Sequence, residues 1–422
     1  MNKFLWLFII ALTFTGLYGQ TENKNLTLNE AVQLGLKNNP EIKKAYHNIE
    51  SSKGKFWSGI SLPKPEVGVS YEYAPVNSSL SNYGERTIEI SQSLEFPSNY
   101  FLKGNKLNKQ EEINYYRLKQ IENSVISKIL SSYSNVLAKQ EQLKIAEENL
   151  SVADEFSRKA EIRYNVGEGT NIEKLTAKVQ FTEALNNVEV LKNDLKSSYA
   201  ELNYSLGINN NDEIFNLNDS LFFNGGDTLT FEKYFELATS LNLDIKIAEI
   251  QVNSSSIDKS LAWSSLLPSL NLSYYKQSRD GKNGFYGAGF GLSIPLWFMF
   301  ENRGLIQEAS AEEDIAKSEL QIIKNEVYLK LKKAFNNYQN NLKQVQLYQT
   351  NILPQADEIF RTASASYDAG EISYIEFLQA KQTFINSKND FINILLNNVL
   401  SNLELINITG LEMTQLFNGV QK

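Results

Sequence analysis

Residues 164–175 read Y-N-V-G-E-G-T-N-I-E-K-L, and residues 367–378 read Y-D-A-G-E-I-S-Y-I-E-F-L. Both are written Y-x-x-G-E-x-x-x-I-E-x-L, and they stand 203 residues apart in a chain of 422. The same offset carries Leu26-Thr27 onto Leu229-Thr230, Ile42-Lys43 onto Ile245-Lys246 and Ser51-Ser52 onto Ser254-Ser255. It also carries Pro65 onto Pro268, Ser70-Tyr71 onto Ser273-Tyr274 and Gly207 onto Gly410. Matches at one constant spacing along most of the chain mean duplication of a single unit, with a period too long for a solenoid repeat. The expected layout is a first repeat at 20–210, a linker at 211–228, a second repeat at 229–410 and a tail at 411–422.

The quoted stretches read as helix–turn–helix tips. Tyr164 and Tyr367 end ascending helices, Gly167 and Gly370 make the turns, and descending helices start near Asn171 and Ser373. Glycine after a helix C-terminus supplies the left-handed backbone such a turn needs. On either side the pattern predicts long helices over about 105–165 and 171–207, then about 303–368 and 374–409. Ile129, Val136, Leu143 and Leu150 recur every seven residues, as do Phe181, Val188, Leu195 and Leu202. A heptad means helices packed side by side as a coiled coil. Helices of this length exceed a compact domain and point to a rod or tube. Pro354 predicts a kink in the second ascending helix.

Each repeat opens with an amphipathic helix, Thr27 to about Gly59 and Thr230 to about Ser265, the first interrupted near Asn38-Asn39 by Pro40. Two alternating stretches follow in each half, about 65–75 and 86–96, then 268–278 and 285–295. Val67, Val69, Tyr71 and Tyr73 alternate with Glu66, Gly68, Ser70 and Glu72, and Ala288, Phe290, Leu292 and Ile294 alternate with Gly287, Gly289, Gly291 and Ser293. Such segments suit outer-membrane barrel strands; a half-buried soluble hairpin writes the same pattern.

Composition narrows the function. Met1-Asn2-Lys3, an apolar run to Phe14, and Gly16 and Gly19 before a polar stretch form the layout of a signal peptide, expected at 1–19. The chain has no cysteine, so no disulfide and no thiol for a lipid anchor. A net charge of −8 without a basic stripe argues against nucleic acid. The single histidine, His47, and three methionines make no soft-metal site, and the expectation is no bound metal and no cofactor. No nucleophile with base and orienting partner can be placed, so the chain does not read as an enzyme. Gly167-Glu168-Gly169 is not a phosphate loop, because the rest of that pattern is missing.

Four barrel-type strands cannot close, and open edges cannot stand in lipid. The strands must be completed by further copies, and the physics leaves two copies and three both open. The stretches L-T-L-N-E-A-V-Q-L-G-L-K-N-N-P-E-I at 26–42, R-Y-N-V-G-E-G-T-N-I at 163–172, I-L-P-Q-A at 352–356 and S-Y-D-A-G-E-I-S-Y-I-E-F-L-Q-A at 366–380 resemble the TolC family of outer-membrane efflux proteins. I-S-Q-S-L-E-F-P at 90–97 and L-S-I-P-L-W-F-M-F-E-N-R-G-L-I-Q-E-A at 292–309 look most like its CzcC-type branch, linked with heavy-metal efflux.

The resemblance implies a mainly α fold with a small β part, in which a homotrimer builds a twelve-stranded barrel in outer-membrane lipid and a helical periplasmic tube. It implies an exit duct of a tripartite pump, with a periplasmic adaptor and an inner-membrane transporter, RND-type, as partners. Glu376, Gln379 and Glu173 are then pore-constriction candidates, and Gly167, Glu168, Gly370 and Glu371 would form the turns where the adaptor docks. Tyr164, Tyr367, Arg163 and Arg361 are candidates for tying the tips together. Glu173 and Glu376 also suit helix N-terminal turns for their own sake. An exit duct for type I protein secretion is the alternative within the fold, and an exported coiled-coil scaffold or adhesin without a pore is the alternative outside it.

Overall fold

Two asparagines cap the short helices that open the repeats. In the computed structural model, which describes residues 25–208, 214–217, 219, 221, 229–296 and 300–411, α1 (Leu28–Asn38) and α2 (Pro40–Gly59) meet at Asn39. Its Oδ1 accepts from Glu41 N at 2.8 Å and its Nδ2 donates to Ser205 O at 3.3 Å. In the second half α5 (Phe231–Leu241) and α6 (Leu243–Ser264) meet at Asn242. Asn242 Nδ2 donates to Ile408 O at 2.8 Å. The second break has no proline and escaped the sequence reading, because an asparagine that caps is hard to tell from one on an exposed face. The glycine ending each repeat is left-handed, Gly207 at φ 70° and Gly410 at φ 74°. A Cβ at Gly207 would meet Asn39 at 3.0 Å, and one at Gly410 would meet Leu241 O at 2.5 Å, so the descending helices can end only there against the asparagine breaks.

Four strands form one antiparallel sheet in the order β1 (Glu66–Glu72), β2 (Glu85–Leu94), β3 (Ser269–Arg279), β4 (Lys282–Ser293). The repeats therefore share a single sheet joined at β2 and β3. The register places Val67, Ile90, Tyr274 and Ala288 in one row and Gly68, Glu89, Tyr275 and Gly287 in the next. One face is thus mainly apolar, with Arg86, Gln92, Lys276 and Ser278 the polar residues upon it, and the other is mainly polar. The apolar face has no cover within the chain: Val67, Ile88, Tyr274 and Phe290 are all exposed. β1 and β4 are open edges of the sheet. Asp280 and Gly281, at φ 48° and 71°, close the second hairpin in two residues, a turn whose twist matches that of the strands.

The long helices run away from the sheet. α3 (Pro97–Asn165) has 69 residues, about 100 Å at 1.5 Å per residue, and α4 (Asn171–Leu206) returns along it. The second half has α7 (Glu301–Leu347), then a π-helical turn at Tyr348–Ile352, α8 (Leu353–Asp368) and α9 (Tyr374–Thr409). Pro354 is in the first turn of α8; lacking an N–H, it stands where the ladder has already been widened. α9 is the helix among the described residues that is long and apolar enough to cross a membrane, and here it packs along α3, α7 and α8.

Two of the apolar clusters lie near the opening helices of the repeats, and α9 lends Leu403 and Ile406 to the first. Ile129, Tyr133, Leu202 and Leu206 centre the first, and Leu331, Ala334, Tyr338 and Leu405 the second. Leu202 and Leu405, repeat-mates, are both fully buried. Tyr133 ties in the segment before α1: its hydroxyl lies 2.6 Å from Asp219 Oδ2 and 2.9 Å from Leu26 O. Burial and the Asp219 carboxylate push its ionisation far up. The expected signal peptide, most of the linker and the tail beyond Leu411 lie outside the described residues.

Candidate functional site

The far ends of the long helices bring the two quoted turns side by side. Gly167 and Gly370 are left-handed at φ 83° and 75°. Behind them Gly169 N donates to Arg163 O at 3.0 Å and Glu371 N to Ser366 O at 2.8 Å, which closes each turn on its own ascending helix. Glu168 and Glu371 are exposed at the apex.

Thr170 and Ser373 cap the descending helices. Thr170 Oγ1 accepts from Glu173 N at 3.1 Å. Ser373 makes the reciprocal box: its hydroxyl accepts from Glu376 N at 3.3 Å, and its N–H donates to Glu376 Oε2 at 2.7 Å. The Ser373 N–H, and its hydroxyl donating to the same Oε2 at 2.8 Å, hold the Glu376 carboxyl below the usual carboxylate range. Glu376 is exposed, with Gln379 exposed one turn on.

Glu173, the repeat-mate, leaves its own cap and crosses to the other half. Its side chain is only 15% exposed, and Arg163 Nη1 lies 3.5 Å from its Oε1. Tyr367 donates to that oxygen at 2.7 Å and accepts from Arg163 Nη1 at 3.3 Å. Residues of α3, α4 and α8 thus meet in one clasp that joins the halves. Burial and the Glu173 carboxylate push the Tyr367 hydroxyl far up, so it stays a donor across the accessible pH range. Tyr164 is not in the clasp; it stands exposed beneath Lys174 Nζ, 4.9 Å from its ring centre. Arg361 is exposed on α8, and no ion pair or hydrogen bond joins it to the clasp.

An aromatic cluster that the sequence reading passed over supports the clasp. Phe156, Tyr367, Tyr374 and Phe377 pack with Ala160 and Ala177. Phe156 stacks on Phe377 with ring centres 4.2 Å apart, and Phe360 lies 6.2 Å from Phe377 and 4.9 Å from Phe384. The signal was present in the spacing of Tyr374, Phe377 and Phe384, three and then seven apart on α9, which faces one side of a helix. No group of histidine, cysteine, aspartate and glutamate among the described residues could hold a metal ion, and His47 is exposed.

The arrangement is a pair of helical hairpins bound tip to tip, at the opposite end of the chain from an apolar-faced sheet with open edges. The model of the outer membrane efflux protein family matches residues 31–208 and 235–411, which are the two repeats. Cobalt-zinc-cadmium resistance protein CzcC of Cupriavidus metallidurans is 21% identical over 382 residues, covering 88% of this chain and 86% of that protein. A solved structure of CusC aligns with a TM-score of 0.78 at 15% identity, over 91% of this chain and 92% of CusC. The Campylobacter jejuni CmeC outer membrane channel aligns at 0.74 and 20% identity, over 93% and 88%. With both repeats matched in full order, the chain belongs to the outer membrane efflux protein family.

Proposed function

We propose that three copies of this chain form the exit duct of a tripartite efflux pump, passive in itself, gated where the tips meet. The observation that carries this reading is the four-stranded sheet with its bare apolar face and two free edges. Three such sheets joined edge to edge make a twelve-stranded barrel, with the apolar rows toward lipid and the polar rows, Glu89 and Gly68 among them, toward a water-filled lumen. The long helices then continue the barrel as a tube in the periplasm. A periplasmic adaptor docks on the turns at Gly167-Glu168 and Gly370-Glu371, and an RND-type transporter in the inner membrane supplies the energy.

Opening is a parting of helix pairs at the clasp. Glu376 stands exposed at the start of α9 with Gln379 one turn on; three-fold symmetry makes each a ring, and a carboxylate ring favours cations. Glu173, engaged by Tyr367 and Arg163, serves the lock rather than the ring. Divalent metal cations are the favoured cargo, on the likeness to CzcC and on the acidic ring; with no metal cluster among the described residues, the duct would pass them without choosing among them.

Single-channel conductance in planar bilayers tests the reading, with detergent-purified wild type beside Glu376→Gln. Cation-preferring steps that lose preference in the variant support it. A wild-type protein extracted without detergent as a soluble rod defeats it.

A further inference from the structure

The sheet keeps its acids on one face. Glu66, Glu72, Glu85 and Glu89 all stand in the polar rows, which face the lumen in the proposed barrel. Arg86 and Lys276 stand on the other face, among the residues turned toward lipid. Arg86 pairs with Ser278 and Lys276 with Ile88, so the two cations are diagonal neighbours across β2 and β3, about 7–8 Å apart. Lys276 is exposed. Arg86 lies over the Tyr83 ring, 5.9 Å from its centre.

No protein carboxylate answers this pair. Among the described residues no side-chain hydrogen bond or ion pair engages Arg86 or Lys276. The loop at 73–84 contains no acidic residue, and Asp280 in the second turn pairs with neither cation. A neighbouring copy supplies none, because its sheet presents the same face, and its edge strands β1 and β4 place no carboxylate there. The hairpin end is opposite the long helices, so both cations stand toward the outer border of the sheet. Arg86 is eight residues along β2 from Leu94, roughly 20 Å of height in a strand tilted by about 40°. That is near the top of an apolar band about 25 Å tall, where a lipid-facing cation meets headgroups rather than hydrocarbon. Tyrosines mark the same level, as they do at membrane interfaces. Tyr71 packs on Tyr83 with ring centres 5.1 Å apart, and Tyr286, opposite Lys276, lies 6.5 Å from Tyr274.

We propose that Arg86 and Lys276 form a site for the phosphates of an outer-leaflet lipid headgroup, one site on each copy, with the lipid chains lying on the apolar rows below. This rests on the barrel reading. The guanidinium, already placed by Tyr83, offers paired N–H donors to a phosphate. Lys276 adds a point charge on a stem long enough to rise from its row to the interface. Two cations with no acid beside them match a headgroup carrying two phosphates. A zwitterionic headgroup brings its own ammonium and is the poorer match.

Native mass spectrometry of the full-length, detergent-purified oligomer tests this, with lipid A, a bisphosphorylated glycolipid, added at graded concentrations. Wild type should retain lipid A and hold its dephosphorylated form and phosphatidylcholine roughly 30-fold more weakly. The double variant Arg86→Gln, Lys276→Gln should lose affinity for lipid A by a similar factor. Arg279→Gln, one row away on the polar face, should bind as wild type does. Inorganic phosphate at millimolar concentration should not displace the lipid. Equal retention of lipid A with and without its phosphates overturns the inference, as does a double variant that binds like wild type. Arg279→Gln losing as much as the double variant overturns it too, since net charge would then suffice. Displacement by inorganic phosphate overturns it in favour of a soluble anion. If the double variant does not assemble, the two forms of lipid A on wild type decide alone. A conducting trimer that ignores the phosphates fails this inference alone; a trimer that retains lipid A through its phosphates and conducts nothing fails the duct reading alone.

Discussion

In the first tip Tyr164 lies 41% exposed and its ring carries a lysine from the next helix; in the second, Tyr367 at the same repeat position is 6% exposed and bonded to the other half. The carboxylates reverse the pattern. Glu376 stays home in a capping box with Ser373, while Glu173 abandons the equivalent box and reaches Tyr367. Lys174 becomes Phe377 in the second copy, fully buried in the aromatic cluster. Duplication thus supplied two turns of one pattern, and a few differences made one a brace and the other the part it holds. The lesson is that equal motifs need not share a duty: the surroundings of each side chain, not its place in the motif, decide.

Substitutions in matched pairs sharpen this contrast. Phe377→Ala should cost about 3–5 kcal/mol, seen as a lower unfolding temperature and faster amide exchange in α8 and α9; Lys174→Ala should cost almost nothing. If the two fall equally, the tips are equivalent after all. Next comes Tyr367→Phe, which leaves the Glu173 carboxylate short of a donor and should loosen the clasp by about 2 kcal/mol, read by amide exchange at Arg163 to Glu173. Tyr164→Phe should change that exchange little.

Smaller is the loss of a cap. Ser373→Ala should fray the start of α9 by about 1 kcal/mol, and more than Thr170→Ala frays α4, because only Ser373 makes the box. The smallest effect is that of pH on this box. The Glu376 carboxyl is depressed in the fold, so its contribution is complete above the ordinary carboxylate range near 4.5 and is lost as pH falls through the depressed value. Exchange at the first turn of α9 should rise there in wild type and not in Glu376→Gln.

Much of the scaffold was legible. A fixed offset exposed the duplication, heptads exposed the long helices, and alternation exposed strands, since each is a periodicity that backbone geometry imposes. The turn glycines were legible because only a left-handed backbone makes so tight a reversal. The clasp was only half legible. Arg163, Tyr367 and Glu173 were each singled out, but their meeting depends on how two helical hairpins separated by 203 residues are rotated about their axes. Part of that rotation comes from the π-helical turn at Tyr348–Ile352, which adds a residue to one turn and shifts the faces of everything after it. The burial of Lys381 on α9 was illegible for a related reason: a lysine among polar neighbours looks solvated until the helices around it are placed.

The free borders at β1 and β4 carry a consequence for biogenesis. Until neighbours arrive, each newly exported chain offers two adhesive rims, one of seven residues and one of twelve, to whatever strand it meets. On the proposed barrel, insertion into lipid would not come first, because no single sheet could satisfy its rims there. Yield should thus rise more steeply than linearly with the rate of synthesis, up to the point where mispairing overtakes association. A variant that spoils one rim would poison its normal siblings by capping their assembly.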